Sequence, residues 1–336
     1  MKKILALIMT IIMLFTMTVL TSCNNGDAGE SNTGSATDTA DGKYQIGLVQ
    51  ISEHTSLNAI REAFTARIDE LGLGDKVEID YKNAQGEQNN LNTICAKFVS
   101  DKKDLIVAIA TPTAQAAAAA TDSIPIIFSA VSDPVGAKLV SDLNKPDLNI
   151  TGTSDVLDVD KIFDLILKLT PDVKNIGFLY SSSEANSASA LEKAKKAASD
   201  KGLTIVEQSI SDRSEIQQAA VSLSEKCDVM FTPNDNTIAS SLPIVTQVCE
   251  EKNMPYYVGA DSMVIDGGFA TMGVNYEELG KATADMAKSI YEGTAISELP
   301  VVSITECDPY INVEVADKLG IAIPDDLKDT AILINE

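Results

Sequence analysis

The sequence is poor in the residues that carry catalytic and metal-binding chemistry. It has no tryptophan and one histidine, His54, so a second imidazole for a zinc site or a catalytic pair is missing. Neither a C-x-x-C pair, a G-x-S-x-G elbow nor a G-x-x-x-x-G-K-[ST] loop occurs. We therefore expect no metal site, no cofactor and no enzymatic activity. Without tryptophan, any aromatic wall of a binding site must consist of Phe or Tyr, or else the wall is aliphatic.

Basic residues are also scarce. The chain has 26 Lys and Arg against 49 Asp and Glu, a formal net charge of −23, and its three arginines are Arg61, Arg67 and Arg213. Because nucleic-acid binding needs clustered basic side chains, this composition argues against a nucleic-acid partner. A polyanionic ligand is equally unexpected.

The N-terminal sequence predicts that the protein is localised outside the cytoplasm. A positive start, "MKK", leads into an apolar run and then into Leu20-Thr21-Ser22-Cys23. These features predict a signal peptide over residues 1–22. The last four residues resemble a bacterial lipobox, which implies cleavage before Cys23, a lipid on its thiol and anchoring to the cell membrane. An ordinary N-terminal anchor helix is the alternative, and both place the remainder outside the cytoplasm.

Two further features follow from composition. Residues 23–42 contain almost no apolar side chains, so they predict a flexible tether, and the folded part begins near Lys43. Four cysteines remain: Cys95, Cys227, Cys249 and Cys307. Disulfides are permitted in this compartment, but a chain of this size does not need them, so free thiols are favoured and pairing stays open.

From Lys43 onward, β-branched runs alternate with Ala/Lys/Glu-rich segments of helical periodicity, which is typical of parallel sheets covered by helices. The predicted strands are 44–51, 77–83, 105–110, 124–130, 148–155, 175–181, 203–210, 228–233, 254–260 and 268–274. The predicted helices are 55–72, 86–102, 112–122, 158–170, 184–201, 213–226, 236–252 and 276–292. A short strand near 299–307 and a final helical segment follow.

The alternation runs through two rounds, so we predict an α/β fold with two Rossmann-like lobes, a multi-segment hinge and a cleft between them. The N-terminal lobe is expected over 43–172 plus about 275–297. The C-terminal lobe is expected over 173–274 plus about 298–336.

In doubly wound sheets, ligands bind beyond the carboxyl ends of the strands, near helix N-termini. The polar residues that follow the predicted strands are therefore the candidate ligand-binding set. Most have an alternative role as helix N-caps, which any parallel α/β protein needs. The set consists of Glu53, His54, Thr111, Thr113, Gln115, Ser129, Asp133, Ser183, Asn186, Ser187, Asp235, Asn236 and Asp261.

The lipobox and the motifs "GLVQISEHTSLNAIREAF", "TPTAQ", "AVSDPVGAKLV", "NITGTSD", "LYSSSEANS", "NDNTIAS" and "GGFATMGVNYEELG" together resemble the substrate-binding lipoproteins of ABC importers. The similarity is to the tryptophan/tyrosine-type branch of the type I periplasmic-binding-protein fold. The resemblance implies capture of a small solute, an aromatic amino acid in this branch, by a monomer that delivers it to an ABC permease. Two alternatives are a sensory subunit that presents its ligand to a receptor and a binding protein for another neutral or zwitterionic solute.

An amino acid is a zwitterion, so its site needs donors for the carboxylate and acceptors for the ammonium. Helix starts at "TPTAQ" and "SSSEANS" could supply the donors, whereas Glu53, Asp133, Asp235 or Asp261 could face the ammonium. Glu184 would repel a ligand carboxylate, so we expect it to turn outward, with Ser183, Asn186 and Ser187 facing the ligand. If Glu184 instead lies in the cleft, this segment should face the ammonium.

Overall fold

A computed structural model describes residues 42–335; the predicted signal peptide, Cys23 and the tether up to residue 41 lie outside them. The ten strands predicted over 44–274 are present, with ends shifted by at most two residues. From the N-terminus the strands are β1 (Tyr44–Gln50), β2 (Val77–Asn83), β3 (Leu105–Ile109), β4 (Ile126–Ser129), β5 (Ile150–Asp155), β6 (Asn175–Ser181), β7 (Thr204–Ile210), β8 (Val229–Thr232), β9 (Tyr256–Val258), β10 (Ala270–Gly273), β11 (Val302–Ile304), β12 (Asp308–Asn312) and β13 (Ile332–Ile334).

The eight helices predicted over 55–292 are present, with two of them divided, and one short helix, Asp261–Ile265, was not predicted. Residues 213–226 form a 3₁₀ turn (Arg213–Glu215) before a helix, and residues 236–252 form two helices. The α-helices are α1 (Thr55–Glu70), α2 (Gln88–Ser100), α3 (Thr111–Ala120), α4 (Val159–Leu169), α5 (Ala185–Lys201), α6 (Ile216–Ser224), α7 (Asn236–Ala239), α8 (Leu242–Glu251), α9 (Asp261–Ile265), α10 (Tyr276–Tyr291), α11 (Val313–Leu319) and α12 (Asp325–Lys328). A second 3₁₀ turn covers Ile296–Glu298. Within residues 42–335, no helix combines the length and apolar character needed to cross a bilayer.

The strands form two sheets, each wound in the same way. The first has the order β2-β1-β3-β4-β5-β11, with all neighbours parallel. The second has the order β7-β6-β8-β9-β10-β12-β13, in which β12 runs antiparallel to β10. Each sheet therefore repeats the flavodoxin-like order 2-1-3-4-5, and its topological switch points lie between β1 and β3 and between β6 and β8. The predicted α/β fold with two lobes is confirmed.

The chain crosses between the sheets three times, at residues 156–158, 274–275 and 305–307. Helix α4 packs on α5 and β10, so the first crossing precedes α4 instead of following it near residue 172. Strand β11 pairs with β5, so residues 302–304 extend the first sheet, although they were expected in the C-terminal lobe. We call the first sheet with α1–α3 and α10 the first lobe, and the second sheet with the remaining helices the second lobe.

The final segment differs from the predicted run of helix. It contains β12 and β13 as well as two short helices. After the third crossing, β12 pairs with β10 at the free edge of the second sheet, and β13 pairs with β12. The apolar side chains of "YIN" and "ILI" extend the second sheet there by two strands. Sequence periodicity alone could not show this, since short apolar runs fit either a strand or a buried helix.

Helices α1 and α10 form the main helix pair of the first lobe. A Cβ on Gly280 of α10 would lie 2.5 Å from the Ile60 carbonyl oxygen and 2.8 Å from the Ala63 Cβ. Only glycine therefore allows this close approach. Three buried hydroxyls, of Ser129, Thr153 and Thr283, bond one another at 2.8–3.1 Å and tie α10 to β4 and β5. This packing fixes α1, whose N-terminus carries His54.

Candidate functional site

The carboxyl ends of both sheets face a small cavity between the lobes, with about 20 Å³ of free volume, which is room for about one water molecule. The loops after β1, β3, β6 and β8 all reach it, as the switch-point rule predicts. Its lining residues are His54, Ser56, Leu57, Thr111, Ala130, Ser132, Asp155, Asn186, Asn234, Asp235, Asn236, Ala239, Ala260, Met263 and Tyr276. No lysine or arginine of the described chain belongs to this lining.

Asp155, the last residue of β5, lies at the base of the cavity beside the first crossing. Its carboxylate accepts hydrogen bonds from Ser132 Oγ at 3.0 Å, Asn234 Nδ2 at 2.8 Å and Tyr276 Oη at 3.1 Å. All three donors are neutral, and burial raises the pKa of Asp155 because no cation offsets its lost hydration. Since Asn234 belongs to the second lobe, this carboxylate joins both lobes and two crossing segments.

Glu184 does not turn outward, so that expectation is wrong. Its side chain is 4% exposed and accepts from the Asn236 N–H at 3.1 Å, the Thr237 N–H at 2.8 Å and Thr237 Oγ1 at 2.8 Å. It also accepts from Asn236 Nδ2 at 2.6 Å and Asn186 Nδ2 at 3.2 Å. The free N–H groups at the start of α7 attract the carboxylate more strongly than solvent does, because several aligned donors compensate its burial.

Asp235 completes the cap of α7 from inside the second lobe. It is fully buried and accepts from the Ser181 N–H at 2.6 Å, Ser187 Oγ at 2.7 Å and the Ile238 N–H at 3.0 Å. Burial and the nearby charge of Glu184 raise the pKa of Asp235 to about 7. The two carboxylates together hold the loop after β8 in place, and both are already saturated with donors from the protein.

His54 lies across the cleft from this loop. The Asn236 amide nitrogen donates to Glu184, so its Oδ1, 3.2 Å from His54 Nε2, is left as the acceptor. In the neutral ring the proton therefore resides on Nε2. Burial lowers the pKa of His54, against weaker opposing effects from Asn236, Glu184 and Asp266. His54 is thus a neutral donor that spans the two lobes.

Further hydrogen bonds between the lobes surround the cavity. Asn234 Nδ2 also donates to Ser132 Oγ at 2.6 Å. Thr55 Oγ1 donates to Asp266 at 2.8 Å, and Ser189 Oγ donates to Asp133 at 2.6 Å. The hydroxyls of Ser56 and Ser262 also bond each other. The lobes are therefore in a closed arrangement.

Local backbone geometry aims the cavity loops. Ala110 and Ala130, which directly follow β3 and β4, have φ values of 79° and 54°, a region that non-glycine residues seldom adopt. Such outliers concentrate at functional sites. Gly259, after β9, approaches the neighbouring loop so closely that a Cβ would lie 2.4 Å from the Asn234 nitrogen. The glycine therefore lets the loop bring Asn234 to the cavity.

Five predicted site residues line the cavity: His54, Thr111, Asn186, Asp235 and Asn236. The remaining ones lie elsewhere. Glu53 is exposed and lies 4.0 Å from Arg61, and Ser183 is exposed with a 2.7 Å hydrogen bond to Ser181. Both border an outer depression instead of the cavity.

The other predicted residues serve the local structure. Ser187 donates to Asp235, Ser129 joins the hydroxyl cluster under α10, and Gln115 donates to the Ala137 carbonyl at 3.2 Å. Thr113 is fully buried within α3. Asp133 accepts from the Gly136 N–H at 2.8 Å in addition to Ser189. Asp261 borders a separate depression, and burial raises its pKa to about 6.

Five polar cavity residues are absent from the predicted set: Ser56, Ser132, Asp155, Asn234 and Tyr276. A carboxylate that ends the strand "LNITGTSD" was a usable signal for Asp155. Asn234 precedes the two residues that were chosen from the same loop. Tyr276 starts α10 directly after the second crossing and three residues after β10 ends, at a strand end from which no candidate was chosen.

The remaining chemistry-bearing groups give no second centre. In residues 42–335, no cluster of three or more His, Cys, Asp or Glu side chains has metal-binding geometry. The four cysteines of this range are free, with Cys95 and Cys249 buried. Cys227 and Cys249 lie 3.9 Å from the sulfurs of Met254 and Met230, respectively.

Two lobes that enclose a cavity at their switch points define a solute-binding protein, and sequence comparison gives the family. Residues 45–333 match the model of the ABC transporter substrate binding protein family, so the chain belongs to that family. Its members work outside the cytoplasm. The tyrosine-binding protein of Clostridioides difficile is 41% identical over 93% of this chain and 90% of its own length.

Two solved structures, one with a bound ligand and one without, can be compared with this chain. An ABC domain in complex with L-Trp from Streptococcus pneumoniae is 37% identical, with a TM-score of 0.85 over 87% of this chain and 100% of its own. A ligand-free, open substrate-binding protein from Clostridium difficile is 40% identical, with a TM-score of 0.66 over 87% of this chain and 99% of its own. At almost equal sequence identity, this chain is therefore structurally more similar to the L-Trp complex than to the ligand-free, open structure.

Proposed function

We propose that this protein captures an aromatic L-amino acid, tyrosine or tryptophan, between its lobes and delivers it to an ABC permease. The observation that carries the proposal is the interlobe cavity itself, whose wall combines the buried Asp155 carboxylate with no lysine or arginine of the described chain. Such a wall suits a ligand with a cationic group and disfavours a purely anionic one. The related proteins named for tyrosine and solved with L-Trp support the side-chain class.

The first lobe offers a place for the ligand carboxylate. Helix α3 starts at Thr111 in the cavity wall without a side-chain cap among the described residues, and its first N–H groups are those of Thr111 and Thr113, since Pro112 has none. Helix α1 starts beside His54, also without a side-chain cap. Uncapped helix starts attract anions through their N–H groups and the helix dipole.

The apolar part of the ligand would contact the remaining wall. Leu57, Met263, Ala130 and Ala260 contribute aliphatic surface, and Tyr276 contributes an aromatic ring. Met can adapt to the shape of a bound group. The apolar lining and the polarity of the wall together support an aromatic amino acid as the ligand.

The experiment is a calorimetric titration of the folded domain with each proteinogenic amino acid. We expect saturable one-to-one binding of tyrosine or tryptophan, weaker binding of aliphatic amino acids, and no turnover of the bound ligand. Because the protein has no tryptophan, fluorescence of added L-Trp offers an independent readout. Absence of aromatic amino-acid binding at millimolar concentration would overturn the proposal.

We also propose that the protein is anchored by a lipid on Cys23, since the sequence Leu20-Thr21-Ser22-Cys23 resembles a lipobox. We further propose that it acts as a monomer. Mass spectrometry of the membrane-extracted protein should show a diacylated cysteine at the mature N-terminus. The Cys23→Ser variant should appear in the soluble extracytoplasmic fraction. A wild-type N-terminus that retains residues 1–22 would contradict the lipid anchor.

A further inference from the structure

Within residues 42–335, two buried side-chain oxygens in the cavity wall have no hydrogen-bond donor. They are Asn186 Oδ1 and Asn234 Oδ1, and both residues line the cavity. A buried polar atom without a partner is unfavourable, because it loses its hydration without compensation. Two such acceptors in one wall indicate that a donor-rich group completes them.

The orientation of both amides is set by carboxylates. Asn186 Nδ2 donates to Glu184 at 3.2 Å and to the Asn234 carbonyl at 3.0 Å. Asn234 Nδ2 donates to Asp155 at 2.8 Å and to Ser132 at 2.6 Å. Rotation of either amide would place its oxygen against a carboxylate, which is electrostatically unfavourable. Both oxygens are thereby held as acceptors.

The two amides are also neighbours, since one donates to the backbone of the other. The buried carboxylates Glu184 and Asp155 lie directly behind them, and each is bonded only by neutral donors. The negative potential of this wall therefore exceeds what two amide oxygens alone would produce, and it favours a cation over a neutral hydroxyl.

We propose that Asn186 and Asn234 bind the ligand's ammonium group through their side-chain oxygens, with Glu184 and Asp155 as the positioning residues behind them. This inference rests on the proposed amino-acid ligand. It assigns the ammonium to the wall formed by the second-lobe amides and leaves the ligand carboxylate for the uncapped helix starts of the first lobe. Recognition of the ammonium then uses oriented amides in place of a direct ion pair.

The test pairs a variant with ligand analogues. Asn186→Ala is preferred over a change at Asn234, because Asn186 bonds only within its own lobe while Asn234 also joins the lobes. The probes are L-tyrosine or L-tryptophan, whichever binds more tightly, its decarboxylated amine and its deaminated acid. For Asn186→Ala we expect about a 10- to 100-fold loss of affinity for the two probes that carry an ammonium group, the amino acid and its decarboxylated amine. The affinity for the deaminated acid should change by less than about threefold.

Two further variants guard the result. Asn186→Ser retains a small polar side chain that is too short to reach the ammonium, and it should give the same selectivity if Asn186→Ala folds poorly. Asn90→Ala is the matched control, since exposed Asn90 lies in the first turn of α2 and donates to the Ala84 carbonyl at 3.1 Å. It should leave all three affinities unchanged.

The outcomes separate the two proposals. If wild-type protein binds the amino acid but both Asn186 variants weaken all three probes equally, the ammonium assignment is wrong and the proposed function stands. If wild-type protein binds neither the amino acid nor its amine, both proposals fall.

Discussion

The two lobes share one winding order yet treat equivalent helix starts in opposite ways. In the first lobe, α3 follows β3 and begins without a side-chain cap. In the second lobe, α7 follows β8 at the equivalent position, and carboxylates accept the N–H groups of Asn236, Thr237 and Ile238. Topology therefore fixes where a helix start lies, whereas the local side chains decide whether its donors remain available.

The difference gives the cavity a direction. Free N–H groups make the first-lobe wall attractive to an anion, and saturated ones leave the second lobe with carboxylates and amide oxygens. A zwitterion between such walls has one favoured orientation. Variants that remove the Asp235 cap of α7 or the Asp155 charge should weaken this asymmetry between the lobes.

The largest effect should come from removing the second-lobe cap. Asp235→Ala leaves the Ser181 and Ile238 N–H groups and the Ser187 hydroxyl without their buried acceptor, so the free energy of unfolding should fall by about 3 kcal/mol. Thr111→Ala, at the uncapped start of α3, should cost about 1 kcal/mol or less. Urea denaturation of both variants measures the two free energies of unfolding. Similar losses of stability in Asp235→Ala and Thr111→Ala would contradict the proposed difference between the two helix starts.

The next effect concerns the first-lobe carboxylate. Asp155→Asn removes the charge behind Asn234, so affinity for the amino acid should fall about 10- to 100-fold. Because burial raises the pKa of Asp155, the neutral amide should leave the free energy of unfolding unchanged or slightly higher. Calorimetry and urea denaturation measure the two quantities. Retained affinity would show that this charge has no part in binding.

The sequence supports these conclusions unequally. Periodicity predicted the strands of both lobes because parallel strands are continuously apolar, and their ends marked the cavity loops. Within a loop, however, one position decides the role: Asn234 reaches the cavity while its neighbour Asp235 caps α7. Glu184 was misassigned because its donors come from a loop about fifty residues away. Long-range donors of this kind leave no local pattern in a sequence.

A smaller effect should appear in the pH dependence of stability. Burial and Glu184 raise the pKa of Asp235 to about 7 in the fold, above its unfolded value near 4. The folded state then binds the proton more tightly, so this contribution is full below about pH 4 and is lost as pH rises through about 7. The raised pKa of Asp261 acts in the same direction, whereas the lowered pKa of His54 acts oppositely, through stability lost below about pH 6.5.

Asp235→Asn isolates this contribution. Between about pH 5 and pH 7, the unfolding free energy of wild type should fall relative to that of Asp235→Asn, on the order of 1 kcal/mol. Asp122→Asn, at an exposed position, is the matched control and should parallel wild type. Parallel curves for all three proteins would show that Asp235 takes up no extra proton in the fold.

The smallest effect should come from the rim of the closed lobes. Ser189→Ala removes the hydrogen bond to Asp133, which still accepts from the Gly136 N–H, so no carboxylate is left without a donor. Ligand affinity should fall by no more than about fivefold, since a single partly exposed hydrogen bond contributes about 0.5–1 kcal/mol. Thr55→Ala, which removes the rim bond to Asp266, should behave alike. Lobe closure and ligand affinity are linked, because the ligand binds the closed state more tightly. A tenfold loss of ligand affinity in either variant would therefore mean that these rim hydrogen bonds, and not the polar groups of the cavity, determine closure.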